Sequence, residues 1–418
     1  MCRIAFLTLA LTPVASWPDI GTPLTAGALA DEVLAVNPMA KAASAAARSE
    51  ESSAAAVGLW PDPMFMAERM TGPGGEAAPG TILMPGWDFR LKQEIPVWGK
   101  NIYDRRSAAA GARAAGDEAE ATRLMLVEEA KHAYLELYTA TKMKELAVRQ
   151  KQLWADYERV AAALYAAGAA TQTEVLRAQV ERTRMTNQIL NFETAEVAAR
   201  GRINALLGRP AGEALPPLGE LPEVTIPYTL DELYAKAAAR NPKVKAAEAR
   251  LARAQAMRAA ETWRYIPDLA AGVGYTRMDP TEMAPEEAAW SFSAEVGIPI
   301  FMTVGQRRMR AATTAEVEAM TAEVADKRNQ VRRDVQSLYA TITAADQQLV
   351  LYRDGLLPQT EAAVRGAAAG YAAGNVDFIM LLENQMTWYM TQMEYVELQM
   401  KKHEAVATLE VAIGERFY

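Results

Sequence analysis

The sequence predicts a mainly α-helical chain with a small β part, built as two tandem repeats. Each repeat is a helix, two short membrane β-strands and a long α-helical hairpin. Three observations predict this. Tyr165-Ala-Ala-Gly168 returns as Tyr371-Ala-Ala-Gly374, and a following glutamine returns with it, Gln179 as Gln385 (374 − 168 = 206; 385 − 179 = 206). Each copy sits between two long alanine-rich, helix-like segments. Four short stretches, two per half, are strand candidates, and Trp87-Asp-Phe89-Arg-Leu91-Lys among them alternates strictly with the period of a strand that has one oily and one wet face.

Bulk properties narrow the function classes. The formal net charge is −8, whereas a nucleic-acid binder normally shows a basic footprint. His132 and His403 each stand alone in helical sequence, and no Cys/His cluster has metal-site spacing. No cofactor or metal is therefore expected. With one cysteine, no disulfide can form within the chain. No nucleophile, base and orienting group can be assembled from spacing, so the chain is not expected to be an enzyme.

Residues 1–16 contain one Arg, a short apolar run from Ile4 to Leu11 and a small-residue end, the pattern of a secretory signal. The first repeat is expected over 26–208. A helix runs to about Leu59, interrupted at Asn37-Pro38, and Pro61-Asp-Pro63 ends it. A strand is expected at about 64–70, then a Gly/Pro-rich loop, then a strand at about 87–97. In that second strand Trp87, Phe89 and Leu91 alternate with Asp88, Arg90 and Lys92. A helical hairpin follows over 100–207 with its tip near Gly168. Its first arm, if continuous, rises about 100 Å at 1.5 Å per residue and demands a coiled-coil-like partner. Residues 209–228 are rich in Pro and Gly and read as a linker.

The second repeat is expected over 229–414. Asn241-Pro242 matches Asn37-Pro38, and both continue as Asn-Pro-x-x-Lys-Ala-Ala (241 − 37 = 204). Strands are expected at about 269–278 and 290–300, joined by an acidic, proline-containing loop over 278–289. A hairpin over 304–413 has its tip near Gly374, and Gly414 answers Gly208. Matched landmarks in one order at nearly one offset are the signature of internal duplication.

The strands bear on function. Leu269, Ala271, Val273 and Tyr275 share one face; Ala270, Gly272, Gly274 and Thr276 share the other. Trp60, Trp87, Trp98, Trp263 and Trp290 flank or lie in the four strands. Aromatics at strand ends, apolar residues outward and polar residues inward describe a membrane β-barrel with a wet lumen; the alternative is a soluble β-layer with core tryptophans. Four strands cannot close alone, and three chains would supply twelve, an allowed even number.

Together, the signal, the duplicated Asn-Pro-x-x-Lys-Ala-Ala, the strand pairs ending in Ile-Pro…Gly and the paired Tyr-x-x-Gly…Gln tips resemble the TolC-like outer membrane factor family. The resemblance covers about 25–414. It implies a homotrimer with a twelve-stranded barrel in the outer membrane of a Gram-negative bacterium, continued by a periplasmic α-barrel. It implies a passive exit duct for drugs or heavy-metal cations in a tripartite efflux pump, or alternatively a type I secretion exit channel. The implied partners are a periplasmic adaptor (membrane fusion) protein, an inner-membrane transporter such as an RND pump, and outer-membrane lipid. Glu174, Tyr371 and Glu383 resemble the family's periplasmic gate residues. Val376 stands where an Arg is usual, and Met380 replaces a second acidic residue. Gly168, Gly374 and Tyr165 would form the adaptor-docking tip, although the residues themselves show only turn chemistry. Three copies of Glu383 would make an acidic ring favouring cations; the plainer reading is a solvated helix face.

Two other readings stay open at this level. A soluble periplasmic coiled-coil adaptor or scaffold is the rival from another class. Met380, Met386, Met390, Met393 and Met400 crowd the last helix, where thioethers either fill packing gaps or hold Cu(I).

Overall fold

The computed structural model describes residues 23–70, 85–96, 100–263, 268–280, 285–297 and 302–417. The signal at 1–16, the Gly/Pro-rich loop up to residue 84, Trp98, Pro267 and the Ile298-Pro299 pair lie outside the described residues. In chain order the elements are α1 (Ala26–Val36), α2 (Pro38–Ala56), β1 (Met64–Met70), β2 (Gly86–Ile95), α3 (Lys100–Ala166) and α4 (Gln172–Leu206). The order then recurs: α5 (Leu230–Arg240), α6 (Pro242–Trp263), β3 (Asp268–Met278), β4 (Glu287–Gly297), α7 (Met302–Leu351), α8 (Leu357–Ala372) and α9 (Phe378–Ile413). The fold is mainly helical with one small antiparallel sheet, as the sequence predicts.

The Asn-Pro motif does the same work in both halves. Asn37 ends α1 and caps α2, its Oδ1 accepting from the Met39 N–H at 2.8 Å, while Pro38 begins α2, where no N–H is needed. Its Nδ2 donates to the Leu206 carbonyl at 2.8 Å, on the last turn of the returning hairpin arm. Asn241 repeats both bonds, to Lys243 N–H at 2.9 Å and to the Ala412 carbonyl at 2.8 Å. Each Asn thus stitches the start of its repeat to the end of the same repeat. Both are buried. Asn37→Ala and Asn241→Ala are each expected to cost about 1–3 kcal/mol, by loss of a cap and an orphaned carbonyl. Thermal melts of the purified protein would show it; a cost in one half only would break the equivalence.

The main cores sit at the hairpin bases. Leu29, Val33, Leu126, Tyr134 and Ile203 belong to one; Leu233, Ala237, Val335, Val406 and Leu409 belong to the other. Leu29 and Leu233 are repeat equivalents (233 − 29 = 204), as are Ile203 and Leu409 (409 − 203 = 206). The linker is not loose. Leu24 pairs in parallel with Leu218, and the Tyr134 hydroxyl donates to Leu24 and Gly219 carbonyls at 3.1 and 2.9 Å. Burial pushes the Tyr134 phenol up to about 12. Its folded value is raised, so its contribution is whole below about pH 10 and is lost towards pH 12. The fall in melting temperature between pH 9.5 and 11.5 is expected to be smaller in Tyr134→Phe than in the parent; equal falls would refute it.

One helical arm is interrupted: within the 304–413 hairpin a π-helical turn at Tyr352–Leu356 separates α7 from α8. Pro358 is the physical reason. It has no N–H to give and its ring crowds the carbonyl four residues back, and the wider i→i+5 turn takes up that clash. The Leu357 N–H accordingly donates to Tyr352 O.

The sheet runs β1-β2-β3-β4, antiparallel throughout, so β2–β3 joins the two repeats at its centre. β4 takes in Glu287 to Ala289, which the sequence places in the acidic loop, because they pair with Met278, Arg277 and Thr276. Both edges are open within the chain: β1 and β4 each have one paired neighbour among the described residues. Such edges are aggregation-prone unless another chain covers them. Among the described residues no helix is long and apolar enough to cross a membrane.

Candidate functional site

Two regions hold the candidate functional features: the hairpin tips and the two-faced sheet. Each tip is built by the same backbone device. At the first, Gly168 adopts φ +74°, its N–H donates to Tyr165 O at 3.0 Å and the next N–H donates to Leu164 O at 2.8 Å. At the second, Gly374 has φ +74° and the bonds run to Tyr371 O at 3.0 Å and Gly370 O at 2.9 Å. This is a Schellman turn, and only glycine takes its left-handed position without strain. Space beside both glycines is open, with nothing within 4 Å of where a Cβ would stand.

The side chains at the two tips are not equivalent. Tyr165 is 50% exposed and Tyr371 only 8%. Tyr371 packs against Phe378 with ring centroids 5.4 Å apart. Its hydroxyl donates to Glu174 Oε2 at 2.9 Å, across from one hairpin to the other. Glu174 Oε1 meanwhile accepts from the Thr171 N–H and hydroxyl, both at 3.1 Å, closing the capping box that starts α4. One carboxylate therefore serves its own helix and the neighbouring hairpin. Burial pushes the Tyr371 phenol far up, helped by the bond to Glu174 and by its charge, so Tyr371 stays a donor. Glu383 is not brought into this pair; it is exposed on α9. Val376, where an Arg is usual, leans over Gly370 and fills the space a Cβ would need.

Below the tips lies a polar belt that sequence reasoning missed. Gln385 is fully buried, donates to Gln150 Oε1 at 2.8 Å and accepts from the Tyr157 hydroxyl at 3.1 Å. Trp154 is wholly buried beside it, edge-on to Tyr157 at 5.6 Å. The one available signal was the recurrence of Gln179 as Gln385. Gln179, however, lies on the surface and donates to Glu158 at 2.9 Å. Met386 and Met393 pack against Trp154 and Tyr389, and Met400 is in the base core, so these three are packing residues. His403 is buried, and burial together with Lys402 and Lys131 holds it down to about 4, a neutral imidazole. Among the described residues no group of three His, Cys, Asp or Glu is arranged for a metal.

The sheet sorts its side chains sharply, since partners directly opposite in an antiparallel ladder share a face. One face carries Phe65, Phe89, Leu91, Val273, Trp290 and Phe292, with Trp290 69% and Phe292 85% exposed. The other carries Asp88, Arg90, Lys92, Ser291, Ser293 and Glu295. Ion pairs Arg90–Asp88 and Lys92–Glu295 lie along it. The sheet therefore has one exposed aromatic face and one charged face, the division that a strand layer between an apolar and an aqueous phase requires.

Comparison with known proteins places the chain. A family model described as outer membrane efflux protein matches residues 88–209 and 233–415, one block in each repeat. The chain is 24% identical over 324 residues to the cobalt-zinc-cadmium resistance protein CzcC of Cupriavidus metallidurans, covering 75% of this chain and 72% of that one. The outer-membrane channel OprN superimposes with a TM-score of 0.80 at 19% identity, over 94% of this chain and 90% of its own. CusC superimposes at 0.81 with 15% identity, over 97% and 96%. VceC of Vibrio cholerae, an outer membrane protein, superimposes at 0.78 with 18% identity, over 94% and 97%. Matched through both repeats and over most of its length, the chain belongs to the outer membrane efflux protein family.

Proposed function

We propose that three copies of the chain close a twelve-stranded barrel in the outer membrane and serve as the exit duct of a tripartite efflux pump. The observation that carries this is the two-faced sheet with two open edges: it would make a third of a cylinder wall, with β1 of one copy pairing with β4 of the next. The long hairpins would extend the duct through the periplasm. A periplasmic adaptor would dock on the exposed tips around Gly168, Gly374 and Tyr165, and an inner-membrane transporter would drive the flow. Heavy-metal cations are the favoured cargo, supported by the likeness to CzcC. The scaffold reading fares worse, because a soluble protein has no use for Phe292 and Trp290 in water.

The test is direct. The protein should be extracted with detergent from the outer-membrane fraction as a trimer by light scattering. Its deletion should lower tolerance to at least one heavy-metal cation among cobalt, zinc, cadmium, copper and silver. Soluble monomer in the periplasmic fraction would end the channel reading, and unchanged metal tolerance would end the cargo assignment.

The gate assignment makes its own prediction. Tyr371→Phe removes the bond to Glu174 while leaving the α4 cap intact. It is expected to raise spontaneous conductance in planar bilayers as much as Glu174→Ala does, and Glu383→Ala is expected to weaken cation preference. Parent-like conductance and selectivity in all three variants would retire the gate.

A further inference from the structure

The methionines of the strands are sorted as strictly as the aromatics, but the other way. Among the described strand residues there are four: Met64, Met66, Met70 and Met278. The register puts all four on the charged face. Met64 opposes Lys92, Met66 opposes Arg90, and Met70 opposes Gly86, which in turn opposes Met278. Apart from alanine and glycine, no other apolar residue among those described lies on that face, and the aromatic face holds no methionine. Methionine as packing filler belongs in a core or against lipid. Here Met64 and Met66 are 54% and 56% exposed, and Met70 and Met278 are half-buried. A hydrophobic explanation would equally allow Leu, Ile or Phe there, and none occurs.

The four fall into two pairs. Met64 and Met66 are two residues apart on one strand, so their Cα atoms are about 6.5–7 Å apart. Met70 and Met278 lie on strands separated by one, about 10 Å apart at the usual strand spacing, with only Gly86 between them. Gly86 carries no side chain, so two flexible thioether arms can meet above it. Carboxylates lie in neighbouring positions: Glu68 and Asp88 form the next row, and Glu287 is paired with Met278. Thioether sulfur is a soft ligand that selects soft monovalent ions such as Cu(I) over hard or borderline divalent ones.

We infer that this face is a binding path for soft, thiophilic monovalent cations, Cu(I) or Ag(I), with one site at each thioether pair. The inference rests on the proposed channel, in which the charged face lines the lumen, and it narrows the cargo within the heavy metals. One pair lies towards the helices and the other at the turn end of the sheet, so an ion would be passed along the duct. Weak sites of low coordination suit transit, because an ion must leave as well as enter.

The probe is silver nitrate, titrated calorimetrically into the full-length detergent-purified protein in chloride-free, thiol-free buffer. The comparison variant carries Met64→Leu, Met66→Leu, Met70→Leu and Met278→Leu, which keeps volume and removes sulfur. The parent is expected to bind about two more Ag(I) per chain than the variant, one for each pair. Zinc binding should be the same in both. Equal silver isotherms would overturn the inference. Should the fourfold variant not fold, Met70→Leu with Met278→Leu alone should lose about one equivalent, and no loss would overturn it equally. In bilayers, micromolar Ag(I) should interrupt the parent's current and leave the variant's untouched. Failure of the parent to form trimers or conduct would sink the channel reading instead. The titration still decides the thioether sites, because each pair lies within one chain.

Discussion

Phe292→Arg is expected to remove the protein from the outer membrane, while Ala289→Arg, three residues earlier on the same strand, is expected to be accepted. Phe292 lies in the middle of β4, on the aromatic face, and is 85% exposed. If that face meets lipid, an arginine there sits near the bilayer midplane and costs about 2–4 kcal/mol per chain, or about 6–12 kcal/mol for three. That rivals the whole stability of many folded proteins. Ala289 is on the other face, opposite Thr276 and in the row of Asp88 and Glu68. An arginine there meets water and carboxylates. Outer-membrane fractionation with cross-linking would count trimers for both variants. Equal trimer levels, or loss for Ala289→Arg alone, would mean that the lipid and lumen faces are wrongly assigned.

The second large effect lies outside the sheet, among the helices. Lys131 and Glu410 form an ion pair of 2.6 Å whose side chains are 0% and 2% exposed. Glu410 also accepts the Phe417 N–H at 2.6 Å, anchoring the C-terminal residues. Around this anchor, Glu415 receives Tyr228, Lys236 and Arg240 at 2.9, 2.7 and 2.7 Å, and Arg416 reaches Asp31 at 2.6 Å. The last residues therefore tie α1 of the first repeat to α5 of the second. Burial pushes the Lys131 ammonium down, and Glu410 opposes that. Lys131→Ala would strand a buried carboxylate and is expected to cost about 3–5 kcal/mol. Lys131→Met combined with Glu410→Leu removes both charges and is expected to recover most of that loss. Thermal denaturation of Lys131→Ala, and of the parent, Lys131→Met, Glu410→Leu and their double variant as a double-mutant cycle, would measure it. A single variant as stable as the parent would show that the pair contributes nothing.

These two predictions differ in where they were visible. The alternation of Trp87-Asp88-Phe89-Arg90-Leu91-Lys92 is local, so the two faces of the sheet could be seen in the chain itself. The Lys131–Glu410 pair spans 279 residues and left no mark in sequence. The tips fall between. Gly168 and Gly374 were legible because a Schellman turn asks for glycine at one position whatever surrounds it. The tie between Glu174 and Tyr371 was not, and neither was the burial of Gln385 against Gln150.

By itself, then, the sequence determined the duplication, the hairpins with their turn positions, and the amphipathic strands. All of these follow from backbone preferences and from periods of two and 3.6 residues, which act over a few neighbours. Tertiary structure alone decided how the two copies differ. The hairpins meet through α3 and α9, and near the tips α4 adds Glu174, Ala178 and Met185 to the contact with the second hairpin. Tyr371 is consequently buried where Tyr165 is exposed, and Gln385 is buried where Gln179 is exposed. Equivalent residues with unlike neighbours acquire unlike burial, and burial sets which hydroxyl must find a carboxylate and which can remain in water.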